Sequence, residues 1–335
     1  MHKYPKFSDK NYSFPNQEDW EGRVDSAEPF ARFYQAVKCK SLDAFFMSLL
    51  PTEQPTIVFL GFACDEGVRR NQGRVGAASS PKALRKALAN YPLHDNAFAL
   101  HLIDVGDINC LDGNLENAQQ HLAQAVEAII AKGAFPLILG GGHETAWGSY
   151  LGLRQSVARQ NIAILNFDAH FDMRPMLENS QGTSGTSFLQ IAQNRLNNNL
   201  AFHYYCLGIN KASNTHFLFE TAKKWQVQYL SYEEIYATSN KAIQFVENII
   251  QSHDALYVSL CMDVFSAAFA PGVSAVSPAG LMPYQVMPLL QILAASKKTV
   301  LFDIVELAPA YDQQGLTAKL GAQCIAEFLY RYQQR

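Results

Sequence analysis

Asp168, His170 and Asp172 follow directly on an apolar run, Asn161–Phe167, at spacing i, i+2, i+4. In an extended backbone that spacing sends all three side chains to one face, whereas on a helix His170 would point away from the other two. Two carboxylates and an imidazole meeting at one point repel one another unless a cation lies among them. The alternative is a solvated, hydrogen-bonded loop. The apolar run just before the triad argues against it.

Three more segments end in residues of this kind. Leu139-Gly140-Gly141-Gly142-His143-Glu144 uses glycines to turn tightly and bring His143 to the rim. A strand-to-helix turn with an incidental histidine is the other reading. Tyr257–Asp263 places Cys261 and Asp263 on one face of an extended run. Asp263 is a ligand candidate, while Cys261 taken alone reads as a buried thiol. Leu301–Glu306 ends in a carboxylate that either receives a cationic substrate group or caps the chain.

Each of these segments needs an element to position it. Apolar runs of strand length are Thr56–Phe62, Ala99–Val105, Ala134–Leu139, Asn161–Phe167, Ala201–Leu207, Val227–Leu230, Ala255–Cys261 and Thr299–Val305. Between them lie helix-length stretches: Pro81–Asn90, Leu115–Ala131, Thr145–Ala158, Lys241–Ser252 and Pro283–Ser296. The alternation predicts a single α/β domain built on a doubly wound, mainly parallel eight-stranded sheet with helices on both faces. Ligands bind at the carboxyl ends of such strands, where all four segments stand. Residues 1–50 read as an N-terminal extension, irregular at first and helical through Phe30–Leu50. Residues 51–335 read as the catalytic domain.

The 335 residues carry a formal charge of -3, with no basic cluster interleaved with aromatics, which speaks against nucleic-acid binding. No apolar run reaches membrane-spanning length, and the N-terminus lacks the apolar core of a secretory signal. Six scattered cysteines without a CxxC pair suit reduced thiols in a cytoplasmic protein. His101, His121, His203, His216 and His253 read as surface or core histidines.

The GGGHE, DAHFD, SLCMD and DIVELAP segments, in this order, resemble the signature blocks of the arginase/agmatinase ureohydrolase family from about Thr56 onward. The resemblance implies an arginase-like fold and two Mn²⁺ ions bridged by hydroxide. His143 and Asp172 would hold one ion, His170 and Asp263 the other, with Asp168 and Cys261 shared. Gly67-Val68-Arg69-Arg70-Asn71-Gln72-Gly73-Arg74 is similar to the formimidoylglutamase branch, whose substrate is a small amino-acid derivative with two carboxylates. Arg69, Arg70, Arg74 and Arg174 are candidate carboxylate clamps, some of them structural ion pairs, with Asn71, Ser184 and Ser274 as further contacts. Ser184 stands where arginases and agmatinases have a proton-shuttling histidine, which argues against those two activities. Homo-oligomers are common in the family.

The seventh strand departs from the family pattern, since Cys261 replaces the bridging aspartate and Ser266 and Ala267 follow. A thiolate can bridge divalent ions but is softer than Mn²⁺ prefers, so zinc, iron or a single-metal site are alternatives. The expected reaction is attack of the hydroxide on the formimidoyl carbon. Glu306 would steady the cationic N–C–N group, and Asp172 would pass a proton to the leaving nitrogen. The rivals are another ureohydrolase acting on a guanidino acid and a non-catalytic chain with an impaired metal site.

Overall fold

A computed structural model of the chain describes residues 7, 10–24, 31–51, 53–156 and 161–333. Its centre is a ten-stranded sheet. All eight expected strands form: Thr56–Ala63 (β3), His101–Asn109 (β4), Phe135–Leu139 (β5), Ile162–Phe167 (β6), His203–Ile209 (β7), Gln228–Ser231 (β8), Ala255–Cys261 (β9) and Thr299–Val305 (β10). Two short strands come before them, Tyr12–Ser13 (β1) and Lys38–Cys39 (β2), both on the outer edge of β4. Only the β1–β4 pairing is antiparallel among the described strands.

The strands alternate their side chains between two apolar layers. From β3, Ile57 and Phe59 join one core while Val58, Leu60 and Phe62 join the other. The helices Ser80–Ala89, Pro283–Ala295 and Leu316–Arg331 cover the first layer. Leu115–Ala131, Thr145–Leu153 and Ser187–Asn197 cover the second. Burial on both faces is why the strands read as continuous apolar runs. No helix among the described residues is long and apolar enough to cross a membrane.

The helix expected over Phe30–Leu50 is broken in two, Phe33–Ala36 and Leu42–Met47, with β2 between them (Phe30 itself lies outside the described residues). Backbone pairing with the edge of β4 outcompetes helix here: Lys40 N–H donates to Asp104 O, and Ser41 caps the second helix at Ala44 N–H. Upstream, Trp20 is buried and its Nε1 donates to Asp104 Oδ2 at 2.6 Å. The expected helix Thr145–Ala158 ends at Leu153, and its last two positions lie outside the described residues.

The strand order is β1-β4-β3-β5-β10-β9-β6-β7-β8. The four strands whose ends carry the chemistry-bearing segments, β5, β10, β9 and β6, are therefore consecutive neighbours in the middle of the sheet. Widely separated stretches of chain thus deliver their polar ends to one rim.

Candidate active site

After β5 the chain is seated on its neighbours by backbone contacts. Gly142 N–H donates to Cys64 O at 3.0 Å, and Gly141 O receives Glu306 N–H at 2.8 Å. A Cβ built on Gly141 would lie 1.7 Å from Cys64 O, so only glycine lets the three strand ends approach this closely. His143 follows, fully buried. Its backbone N–H donates to Glu306 Oε1 at 2.8 Å and its ring Nε2 lies 3.0 Å from Ser259 Oγ. That second contact leaves Nδ1 facing the cleft floor.

After β6 the chain does not stay extended, contrary to the alternation expected of Asp168, His170 and Asp172. The strand stops at Phe167, and Asp168 Oδ1 accepts the N–H of His170 at 2.7 Å, curling the chain. Asp172 takes a left-handed backbone, φ 47°. Asn214 pins the curl, accepting Phe171 N–H at 3.1 Å and donating to Ala169 O at 2.8 Å. The three side chains still converge, by a turn rather than by strand alternation.

Asp168 is the hub of the cluster. His143 Nδ1 lies 3.0 Å from Asp168 Oδ2 and 2.9 Å from Asp172 Oδ2. His170 Nδ1 lies 3.4 Å from Asp168 Oδ1 and 3.1 Å from Asp263 Oδ2. The donor atoms of His143, Asp168 and Cys261 lie within 4.8 Å of one another, as do those of Asp168, His170 and Asp263. The buried Nδ1 of His143 makes no hydrogen bond of acceptable geometry despite its two close carboxylate oxygens. An octahedral ion with bonds of about 2.1 Å holds adjacent donors about 3 Å apart. The donor set therefore fits divalent cations better than it fits hydrogen bonding.

The electrostatics agree. Burial disfavours charge on both imidazoles. The carboxylates beside them, Asp168 and Asp172 for His143, Asp263 and Asp168 for His170, outweigh it and raise both pKa values well above the ordinary range. Asp168 is likewise buried, yet the two imidazoles hold its carboxyl well below the usual range. Burial and then Asp168 push Asp263 up to about 6. Burial, then Asp168 and Asp263, push the Cys261 thiol well above its usual value.

Above the cluster opens a cleft of 280 Å³. His170, Asp172, Asp263 and Glu306 form its floor, and Asn71, Arg74, Arg174, Ser184 and Ser274 stand on its walls. Glu306 has φ 67°, which turns its carboxylate back over the Gly140–Glu144 loop.

A sequence profile of the arginase family matches residues 55–330. The formimidoylglutamase of Geobacillus sp. strain WCH70 is 44% identical over 328 residues, covering 97% of this chain and 98% of its own. That of Legionella pneumophila strain Lens is 42% identical over 320 residues, covering 95% and 97%. The chain belongs to the arginase family. Solved structures agree on the fold. The formimidoylglutamase of Bacillus subtilis superposes with TM-score 0.77 at 21% identity, over 92% of this chain and 93% of that one. The Trypanosoma cruzi formiminoglutamase with Mn²⁺ gives 0.76 at 23%, over 87% and 97%.

Two arginines expected as clamps in this arginase-family chain are engaged elsewhere. Arg69 pairs with Glu66 at 2.6 Å and does not line the cleft. Arg70 is closed in by Glu66, Glu116 and the carbonyls of Gly113 and Gly182, a structural network at the mouth. Arg74 lines the cleft but spends its guanidinium on Val273 O and Ser274 O, 4.3 Å above the Tyr311 ring. Ser274 Oγ accepts the Arg74 backbone N–H, and Ser184 Oγ accepts from Asn71 Nδ2 at 3.2 Å. Arg174 differs. Its backbone N–H is tied to Gly185 O, while its guanidinium makes no hydrogen bond or ion pair among the described residues.

Sequence reasoning gave no role to Asn214, Ser259 or Asp303. Ser259 is the cross-strand partner of the fully buried Asp303, whose Oδ2 accepts the Tyr257 hydroxyl. Ser259 and Tyr257 alternate with Val258 along β9, so the same period-two pattern that exposed Cys261 and Asp263 reaches them. Asn214 follows β7, and the strand-end rule points to it only once β7 is known to lie beside β6.

Proposed function

We propose that this chain hydrolyses N-formimidoyl-L-glutamate to L-glutamate and formamide in histidine degradation. The observation that carries the reading is the Arg174 guanidinium, unpaired among the described residues, on the wall of a cleft whose floor is a donor cluster that fits divalent cations. The near-full-length likeness to proteins named formimidoylglutamase supports it. In this reading His143 and Asp172 hold one divalent ion and His170 and Asp263 a second, with Asp168 and Cys261 shared. The Trypanosoma cruzi formiminoglutamase was solved with Mn²⁺, which favours manganese as the metal here. When bound, such a pair lowers the pKa of a coordinated water and supplies hydroxide near neutral pH.

The chain's own residues do the rest. Arg174 takes a substrate carboxylate, with Asn71 and Ser184 offering further polar contacts beside it. Glu306, one oxygen held by His143 N–H, presents its other oxygen to the cationic N–C–N group and lines the formimidoyl carbon up over the floor. Asp172 carries the proton lost by the attacking water to the nitrogen of the departing glutamate. The water oxygen becomes the carbonyl oxygen of formamide, and the bond between the formimidoyl carbon and the glutamate nitrogen breaks. The catalytic unit in this reading is residues 51–335, and before it β1 and β2 pair with the edge of β4.

The test is a product assay on the Mn²⁺-loaded protein. Formamide and glutamate should appear from formimidoylglutamate, with no urea from arginine, agmatine or a guanidino acid. Urea release would move the chain to another ureohydrolase activity. Turnover at the wild-type rate by Asp168→Ala, which lacks the shared carboxylate, would refute the two-metal floor.

A further inference from the structure

Cys64 and Cys110 are absorbed by none of this chemistry. β3 and β4 are parallel neighbours whose last register pair is Ala63↔Asn109, and the ladder closes with Cys110 N–H on Ala63 O. Each cysteine is therefore the first residue past its strand. Neighbouring strands run about 4.8 Å apart, inside the range of about 4.4–6.8 Å between Cα atoms that a disulfide spans. The two residues lie one step beyond a register pair, side by side, with Cys64 buried and Cys110 half-buried.

We propose that Cys64 and Cys110 form an oxidation-sensitive dithiol that closes to a disulfide and thereby disturbs the seat of His143. The neighbouring Cys64 thiol pulls the Cys110 thiol down and is itself pushed up by Cys110 and by burial. Cys110, the more exposed partner, is thus the group that meets an oxidant. With a hydroperoxide, the Cys110 thiolate attacks one peroxide oxygen, giving a sulfenic acid and releasing the alcohol or water. The Cys64 sulfur then attacks the sulfenic sulfur, water leaves, and the S–S bond forms. Two thiols are oxidised and one peroxide is reduced, so the step balances. A dithiol reductant reverses it.

The consequence for the site follows from the backbone. Cys64 O accepts Gly142 N–H at 3.0 Å, and Gly141 passes so close to that carbonyl that no Cβ would fit. Glu144, the residue after His143, accepts Gly67 N–H at 3.0 Å, tying the loop to the same turn. The Cys64 main chain is thus the anchor of the Gly140–Glu144 loop. Drawing its side chain toward Cys110 moves the loop that presents the His143 ring.

The experiment treats the full-length protein with hydrogen peroxide, blocks residual thiols, and maps peptides by mass. A peptide linking Cys64 to Cys110 is expected in the wild type, absent in Cys110→Ser and Cys64→Ser, and reversed by dithiothreitol. Mn²⁺ titration of the oxidised wild type should show binding weakened about 10- to 100-fold, the range seen when a ligand's supporting contacts are removed. Treated Cys110→Ser should bind as the reduced wild type does. Absence of the linked peptide overturns the proposal, and so does a linked protein that binds Mn²⁺ unchanged. The metal readout rests on the proposed metal floor. Failure of the untreated wild type to bind Mn²⁺ would count against that floor, while the linked peptide would still decide the dithiol.

Discussion

Replacing Arg174 by alanine isolates substrate recognition from folding. Its guanidinium touches no carboxylate or carbonyl among the described residues, and its backbone tie to Gly185 O survives any side-chain change. Stability should then stay within about 0.5 kcal/mol of wild type, as for surface substitutions generally. In the proposed reading, what is lost is a charge-assisted contact to a substrate carboxylate, worth about 1.5–3 kcal/mol. At about 1.4 kcal/mol per tenfold, KM for formimidoylglutamate should rise about 10- to 150-fold. The lower end is the better figure, because Arg174 is solvent-exposed and water screens the contact. In the proposed reading the side chain holds a carboxylate rather than the reacting carbon, so kcat should change little. Arg174→Lys keeps the charge but loses the fork and should fall between the two. Steady-state kinetics on formimidoylglutamate and on two single-carboxylate analogues, one lacking the α- and one the γ-carboxyl group, give the readout. The analogue missing the group that Arg174 holds should be turned over equally by wild type and variant. An unchanged KM for formimidoylglutamate in Arg174→Ala would refute this reasoning.

Further outcomes follow from the floor of the cleft. Glu306→Gln keeps an acceptor for His143 N–H but removes the charge facing the amidinium, so kcat should drop about 10²- to 10³-fold while metal content by elemental analysis holds. Gly141→Ala brings a methyl group within 1.7 Å of Cys64 O, a backbone atom that cannot swing away. It should cost more than about 3 kcal/mol, read as a fall in Tm and in bound metal. Because the neighbouring carboxylates raise the His143 and His170 pKa values well above the ordinary range in the metal-free cluster, metal binding should displace protons. Calorimetry in buffers of different ionisation enthalpy should show proton release, and affinity should rise from about pH 6 to about pH 8. For the metal-free fold the sign is reversed. Raised histidine pKa values contribute stability below about pH 6.5 that is lost as pH climbs through the folded values, and a denaturant midpoint falling over that interval checks it.

The strands were legible because burial on both faces leaves unbroken apolar runs, and the metal-type donors because each group sits within a few residues of a strand end. The order of the strands was not legible. No local pattern in Thr299–Val305 says that it inserts between β5 and β9, yet that insertion brings Glu306 over His143. The extended reading of Asp168–Asp172 failed because Asp168 satisfies the His170 N–H itself, a side-chain bond that spacing rules ignore. The arginines divide for a tertiary reason. Arg70 meets Glu116 from a helix far along the chain, whereas the Arg174 guanidinium has no polar partner among the described residues, and the sequence writes both simply as basic residues near a motif. Asn214 was invisible because its role depends on which strand flanks β6.

β10 follows every other described strand along the chain, and it is the wedge between the half of the rim bearing His143 and the half bearing Asp168, Cys261 and Asp263. Until it slots in, those halves face an open seam, and a nascent chain holds only separated fragments of the proposed cation site. In the proposed reading, capture of the full metal complement therefore waits on the insertion of β10. Premature termination upstream of residue 299 would leave a product that has every nitrogen, sulfur and oxygen donor of that site but no means of gathering them.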